Sequence, residues 1–185
     1  IEVIELMAAS LSLIGIEDIT LSFGNTAIFN ALCESAELNN QDIASLRDIF
    51  RRKSIPDLAD FFDRNEINHV DKFHSLISLD GDERILDKAA KIYKEFPTII
   101  DAIKDLKKLH SFFKDSNLNL MFDLGEVKAY EYHNGLVFAA YHLNFSKALA
   151  QGGRYNSLSE SFGLSRDATG FSFDLKFLIQ QQLNF

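Results

Sequence analysis

The sequence lacks several features that mark whole classes of protein. It has one cysteine and no tryptophan among 185 residues. A single thiol excludes a disulfide framework within the chain and a zinc site of the CxxC type. No apolar run approaches the length of a membrane span. No basic leader precedes the first apolar residues, so we expect a cytoplasmic protein with no membrane partner.

Positive charge is also scarce. Lys and Arg number 19 against 27 Asp and Glu, which gives a formal net charge of −8. Binding to a phosphate backbone needs clustered cations, so we expect no nucleic-acid partner. The one short basic cluster is Arg51, Arg52 and Lys53. We interpret it as favourable charge at a helix C-terminus, with a nucleic-acid contact as the less favoured alternative.

The residues that are abundant indicate an ordinary folded protein. Hydrophobic residues make up 46% of the chain and charged residues 25%, and phenylalanine alone occurs 17 times. This balance is typical of a globular protein, and the length suffices for one domain with a real core. Cys33 lies in an apolar helical stretch, so we expect it to be buried.

Apolar residues at helical spacing predict that most of the first two thirds is helical, interrupted by one strand over 18–23. Helix starts are marked by capping residues or by proline in the first turn: Asn25, Asn39 or Asn40, Ser54 with Pro56, and Pro97. The predicted helices run over 3–14, from 25 to about 36, from 39 or 40 to about 53, from 54, near 70–78 and 83–94, and from 97.

After Asn117 the spacing of apolar residues changes to the period of two that is typical of strands. The pattern predicts strands over 118–122, 129–133, 136–142, 147–151 and 171–174, the last running into a helix. Asn134-Gly135 favours a hairpin, and Gly152-Gly153 is expected to end its strand. The fold class predicted is α+β: a single domain over 1–185, with a helical insertion at about 36–115 and a sheet-rich part at about 117–185.

Five segments near the end of the chain are more specific in their order than any one alone. They are 122–124 (FDL), 127–138 (VKAYEYHNGLVF), 152–158 (GGRYNSL), 162–163 (FG) and 168–171 (ATGF). Their order resembles the end of the catalytic core of histidyl-tRNA synthetases, which is built on an antiparallel class II sheet. In that family the second segment is the histidine motif, roughly R-G-L-D-Y-Y-T-G-x-V-F-E. The last belongs to the third class II motif, roughly A-T-G-F-x-x-G-x-x-R.

Three departures from those motifs bear on function. Lys128 stands where the histidine motif opens with arginine, and it keeps the charge but not the planar fork that grips an anion. Phe177 stands where the third motif supplies an ATP-binding arginine, and Ala139 replaces the final glutamate of the histidine motif. Since preorganised positive charge drives adenylate chemistry, the resemblance implies that this chemistry is lost.

Loss of the ATP side is the pattern of the regulatory subunit of ATP phosphoribosyltransferase, a branch similar to histidyl-tRNA synthetase. The resemblance implies a subunit that is not itself an enzyme and needs no cofactor. It implies that this subunit activates the catalytic subunit of ATP phosphoribosyltransferase, in histidine biosynthesis. It implies histidine as the feedback effector and a homodimer within a hetero-oligomer. The alternative is a truncated or divergent histidyl-tRNA synthetase that activates histidine and charges tRNA.

The resemblance also implies which residues bind histidine. They are the matching positions of the two motifs: Lys128, Glu131, Tyr132, His133, Gly152, Gly153, Arg154 and Tyr155. We expect Glu131 and Tyr132 to shape the pocket, Lys128 to meet the ligand carboxylate, and the glycines to give clearance beneath it. His133 is equally consistent with a plain hairpin-end histidine, and Arg154 with a structural ion pair. The other histidines show no metal-ligand spacing.

Overall fold

A computed structural model of the chain describes residues 1–127, 135–155 and 168–182, with side chains described as far as residue 180. In chain order, the elements are α1 (Glu2–Leu13), β1 (Thr20–Asn25), α2 (Thr26–Ser35), α3 (Asn40–Arg52), α4 (Ile55–Arg64), α5 (Val70–Ile77), β2 (Asp80–Gly81), α6 (Arg84–Ile92), α7 (Pro97–Phe113), β3 (Asn119–Asp123), β4 (Leu136–Tyr141), β5 (Ala150–Arg154), β6 (Thr169–Phe173) and α8 (Leu175–Gln182).

Within the described residues the strands form one six-stranded sheet in the order β2-β3-β1-β4-β5-β6. The strands from β1 through β4 and β5 to β6 pair antiparallel, as does β2 with β3. The exception is the pair of β1 with β3, which is parallel because the whole helical block from α2 to α7 separates them. The predicted α+β class, with an antiparallel sheet of the class II type, is confirmed.

Local capping explains where several helices begin. The Asn25 side chain accepts a hydrogen bond from the Ala27 amide at 3.0 Å, and Asn39 accepts one from Asp42 at 3.0 Å. Ser54 caps α4, and Pro97 opens α7 in the first turn. The sequence predicted these starts, because a cap depends on neighbours only a few residues away.

One strand prediction needs correction, and one short strand was not predicted. The fifth strand was expected over 147–151 with Gly152-Gly153 at its end, but β5 runs from Ala150 to Arg154 and contains both glycines. Its register with β4 and β6, and not its own composition, holds the glycines in extended pairing. The two-residue β2 was not predicted, since it is defined only by its pairing with β3.

The core lies between one face of the sheet and the helices. Phe23 of β1 is fully buried and stacks on Phe113 of α7, with ring centroids 6.2 Å apart. Phe29 of α2 meets Phe50 of α3 edge to face at 5.0 Å. Many of the phenylalanines noted in the sequence thus fill this layer, and each buried ring removes a large apolar surface from water. Cys33 is buried, as predicted.

Some predicted features lie outside the described residues, namely the strand over 129–133 and Asn134 of the proposed hairpin. Gly135, the next residue, has φ +129°, a backbone region that favours glycine. Among the described helices, none combines the length and the apolar character needed to cross a bilayer.

Candidate functional site

The helices leave the second face of the sheet largely uncovered, and we call it the open face. Backbone register places one row of residues across it: Met121, Ser22, Ala139, Gln151 and Ser172. Met121, Gln151 and Ser172 are exposed, and Ser22 and Ala139 are partly so. The side chains are mostly short, so a ligand could approach the sheet backbone here.

The sequence-predicted ligand residues divide into two sets. Lys128, Glu131, Tyr132 and His133 lie outside the described residues. Gly152, Gly153, Arg154 and Tyr155 are described and lie together at the C-terminal end of β5. The four described residues of this prediction therefore lie at the end of β5, beside the start of β4.

The two glycines of β5 face opposite sides of the sheet. Gly152 pairs with Phe138 of β4, and a Cβ atom built on it would lie 2.7 Å from the Phe138 ring and 2.3 Å from the Gly170 carbonyl oxygen. It is thus on the core face, where no side chain fits. Gly153 pairs with Val137 and with Gly170 on the open face, where it is buried. Gly153 is the one placed to give a ligand clearance.

Tyr155 and Arg154 flank that position. A Cβ atom built on Gly170 would lie 2.6 Å from the Tyr155 hydroxyl, so the tyrosine side chain covers Gly170. Arg154 is exposed, and its Cδ lies 3.8 Å from a Cβ atom built on Gly135. Among the described residues Arg154 makes no salt bridge, so the alternative of a structural ion pair finds no partner there.

Thr26, which the sequence did not single out, holds the start of β4. Its hydroxyl oxygen accepts a hydrogen bond from the Gly135 amide at 3.0 Å, and its own amide donates to the Gly135 carbonyl at 2.9 Å. Thr26 is 9% exposed. It therefore fixes the backbone at the glycine of the histidine motif, at a distance of 109 residues along the chain.

Lys53 holds the chain before that motif. Its ammonium donates to Asp123 Oδ1 at 2.6 Å and to the Ile77 carbonyl at 3.3 Å. The Asp123 carboxylate also accepts from the Gly125 amide at 3.0 Å. The sequence suggested only a favourable helix-end charge for Lys53. Its partner 70 residues away could not be read from the spacing.

At the other end of β5, Phe177 is part of a small charged cluster. Lys147 places its ammonium 4.2 Å from the centre of the Phe177 ring and 2.7 Å from Asp174 Oδ2. Asp174 Oδ1 accepts a hydrogen bond from the Phe177 amide at 3.0 Å. A depression of about 370 Å³ adjoins this cluster and is lined in part by Gln151 and Ser172 of the open face.

Two carboxylates lie near Tyr141 of β4, those of Glu126 and Asp123, and the second is paired with Lys53. Burial, and then the carboxylates of Glu126 and Asp123, raise the pKa of Tyr141 above its ordinary value. The Tyr141 phenol therefore stays neutral at physiological pH.

Other chemistry finds little support in the described part of the chain. No group of three or more His, Cys, Asp or Glu residues there could hold a metal ion. A cleft of about 990 Å³ between α2 and α3 includes Cys33 in its lining. Burial raises the pKa of the Cys33 thiol to about 12, so it is protonated and a poor nucleophile.

Comparison with known proteins places these features in context. A family model described as histidyl-tRNA synthetase matches residues 1–178. The chain is 35% identical to the ATP phosphoribosyltransferase regulatory subunit of Pseudomonas fluorescens over 97% of its own length and 46% of that protein. It thus spans about half the length of the curated relatives it matches.

Solved structures give the same picture. A Bacillus halodurans protein described as an ATP phosphoribosyltransferase regulatory subunit/histidyl-tRNA synthetase superposes with a TM-score of 0.81 at 26% identity, over 97% of this chain and 48% of that one. A chain of the Thermotoga maritima ATP phosphoribosyl transferase (HisG:HisZ) complex superposes at 0.69 and 19% identity, over 93% and 59%, which concerns the fold alone. These matches confirm the resemblance inferred from the five sequence segments.

Proposed function

The chain belongs to the histidyl-tRNA synthetase family, and from this premise we propose that it is part of a regulatory subunit of ATP phosphoribosyltransferase. The subunit would act in histidine biosynthesis, in the cytoplasm, without chemistry of its own. The curated relatives at about one third identity carry that name. We also propose that residues 1–185 form one structural unit, with the helices inserted between the strands of its sheet.

The observation that carries the proposal is the cluster around Phe177. A nucleotide-activating site needs fixed cations against the phosphates. Here the ring of Phe177 takes the position of the motif arginine, and the nearby ammonium of Lys147 is already paired with Asp174. In the described part of the site, a triphosphate would therefore meet an aromatic ring and a lysine whose charge is already neutralised by Asp174. This favours a regulatory subunit over a divergent synthetase.

We propose that the opposite end of β5 takes part in binding histidine. Gly153 gives clearance on the open face, and Tyr155 covers its neighbour Gly170. Arg154 follows Gly153 in β5 and so leaves the strand on the opposite side. It is exposed and lies beside the start of β4, with its Cδ 3.8 Å from a Cβ atom built on Gly135. Glu131, Tyr132, His133 and Lys128 would complete the pocket, with Glu131 and Tyr132 shaping it and Lys128 meeting the carboxylate. Gly152 would contribute through packing under Phe138.

The proposed partners are the catalytic subunit, histidine and a second copy of the protein. Histidine feedback needs only a difference in histidine affinity between the active and inhibited states of the complex. The coupling is reciprocal, so the state that binds histidine better is stabilised by it. A pocket inherited from a relative that activates histidine would supply the histidine binding that this feedback needs.

The test uses the protein in its natural length, mixed with the catalytic phosphoribosyltransferase subunit of the same organism. We expect the mixture to be more active than the catalytic subunit alone, and histidine to suppress that gain. A coupling typical of allosteric proteins changes the apparent affinity about 5- to 150-fold. The measurements are steady-state rates with and without histidine, and a histidine titration by calorimetry.

A second assay separates the alternative functions. Pyrophosphate exchange in the presence of histidine and ATP reports adenylate formation, and we expect none above the blank. Clear exchange would establish a divergent histidyl-tRNA synthetase and overturn the proposal. If exchange is absent and the catalytic subunit is also unaffected, the protein has an unrelated interaction role and the proposal fails as well.

A further inference from the structure

We propose that Asp174 is an internal anion that occupies a phosphate position beside Phe177 and so excludes nucleotides from this end of the open face. The inference rests on the proposed function, because it names the residue that makes the site unfit for ATP. It assigns a specificity role to a residue that is not among those predicted to bind a ligand.

The position of Asp174 in the fold resembles that of a bound anion. It immediately precedes α8, and Oδ1 of its carboxylate accepts a hydrogen bond from the Phe177 amide in the first turn, at 3.0 Å. The first turn of a helix presents unpaired amides and the positive end of the helix dipole, which favour an anion. Here the carboxylate of the chain itself takes that place.

The same carboxylate also takes the nearby cation. Oδ2 accepts a hydrogen bond from the Lys147 ammonium at 2.7 Å, so the two oxygens are divided between the helix amide and the lysine. Both contacts hold the pKa of Asp174 below its ordinary value, the lysine contact most strongly. The carboxylate is therefore ionised at physiological pH and carries a negative charge that would repel a nucleotide.

The quoted family pattern shows what this arrangement replaces. In A-T-G-F-x-x-G-x-x-R, aligned on Ala168 to Phe171, the second glycine falls on Asp174 and the arginine on Phe177. One change adds a negative charge and the other removes a positive charge, within a single helical turn. Lys147 offsets the first change, but the ammonium it contributes is then no longer free to bind a phosphate.

A bland explanation is that Asp174 is only a helix N-cap with a surface salt bridge. Both members of the pair are about half exposed, at 51% and 48%, so the salt bridge itself adds little stability. The two roles separate in the variant Asp174→Asn. Asparagine caps helices about as well as aspartate but carries no charge, so it keeps the cap and frees Lys147.

The experiment measures binding of inorganic pyrophosphate and of ATP by calorimetry to the full-length protein. We expect the unchanged protein to bind pyrophosphate and ATP more weakly than millimolar. D174N should bind pyrophosphate at least about tenfold more tightly, because a charge-assisted contact becomes available. The second change K147M, placed in the D174N protein, should abolish that gain. Adding F177R to D174N should increase it further.

The control variant is Asp87→Asn. Asp87 pairs with Lys107 at 2.5 Å on the helical block, so D87N changes the net charge equally and also frees one lysine. If D174N binds pyrophosphate no better than D87N, or if its gain survives K147M, the inference is wrong. Sub-millimolar ATP binding by the unchanged protein would also overturn it. Should D174N not fold, D174S, which also caps, takes its place.

Histidine titrations on the same samples keep this result distinct from that of the proposed function. D174N lies at the opposite end of β5 from Arg154 and Tyr155 and should leave histidine affinity unchanged. If the unchanged protein does not bind histidine, the result counts against the proposed function alone. Unchanged histidine binding without a phosphate gain in D174N counts against the inference alone.

Discussion

At the scale of single residues, the Thr26 side chain does what a backbone strand partner would do. It satisfies the amide of Gly135 with a hydroxyl oxygen, while its own amide pairs with the Gly135 carbonyl. This exchange extends the antiparallel pairing of β1 with β4 by one step, past Asn25 and Leu136. The hydroxyl therefore fixes where the pairing of β1 with β4 ends, at Gly135 within the histidine motif.

We predict that Thr26→Val lowers the free energy of unfolding by about 1–3 kcal/mol, because the Gly135 amide loses its acceptor at a buried position. Thr26→Ser keeps the hydroxyl and should cost clearly less. Urea denaturation followed by circular dichroism measures both. Equal midpoints for the two variants would show that the hydroxyl contributes nothing.

How far the sequence could predict a residue depended on where its partner lies. The sequence predicts Asn25 as a cap, and Asn39 or Asn40 as another, because a cap bonds to amides only two or three residues ahead, as Asn25 and Asn39 do. For Lys53 the sequence predicts only a helix-end charge, since its carboxylate partner lies 70 residues away. Asp174 differs from the family pattern in the sequence itself, since it stands where that pattern has a glycine. Its role could not be predicted from this difference alone, because its partner Lys147 is distant in the sequence.

At the scale of elements, β5 shows why a double glycine was misread as a strand end. Glycine has little strand preference of its own, so its presence normally argues for a bulge or terminus. The Phe138 ring lies over Gly152 across the strand pair and fills the space that a side chain would take. The neighbouring strand therefore makes glycine the residue that this position requires.

We predict that Gly152→Ala destabilises the protein by about 1–3 kcal/mol, the usual range for overpacking a core. The added methyl group would approach the Gly170 carbonyl to 2.3 Å, and backbone cannot yield as a side chain can. Ser172→Ala, an exposed change on the neighbouring β6, should stay within about 0.5 kcal/mol. Thermal unfolding of the two variants provides the comparison, and a neutral G152A would contradict the packing argument.

At the scale of the whole molecule, Lys53 joins the helical block to the sheet. It ends α3 in a left-handed conformation at φ 52° and bonds to Asp123 at the end of β3 and to the carbonyl of Ile77 at the end of α5. Three segments that are distant in sequence thus meet at one ammonium group. They meet just before the chain enters the histidine motif.

We predict a coupling energy of about 1 kcal/mol between Lys53 and Asp123, since the pair is only partly exposed, at 33% and 20%. A double-mutant cycle of Lys53→Met and Asp123→Asn, read by urea denaturation, measures it. The exposed pair of Lys107 with Asp87 serves as the matched comparison and should couple more weakly. If the effects of the two substitutions are additive, Lys53 and Asp123 do not couple the helical block to the sheet.

The parallel pairing of β1 with β3 also governs the order in which the chain can fold. These neighbours in the sheet are separated by all of the helices from α2 to α7, so closing that contact costs far more chain entropy than closing a hairpin. Helices of local contacts form fast, whereas pairings of high contact order wait for them. We therefore expect the helical block to form first and the contact between β1 and β3 to close after it.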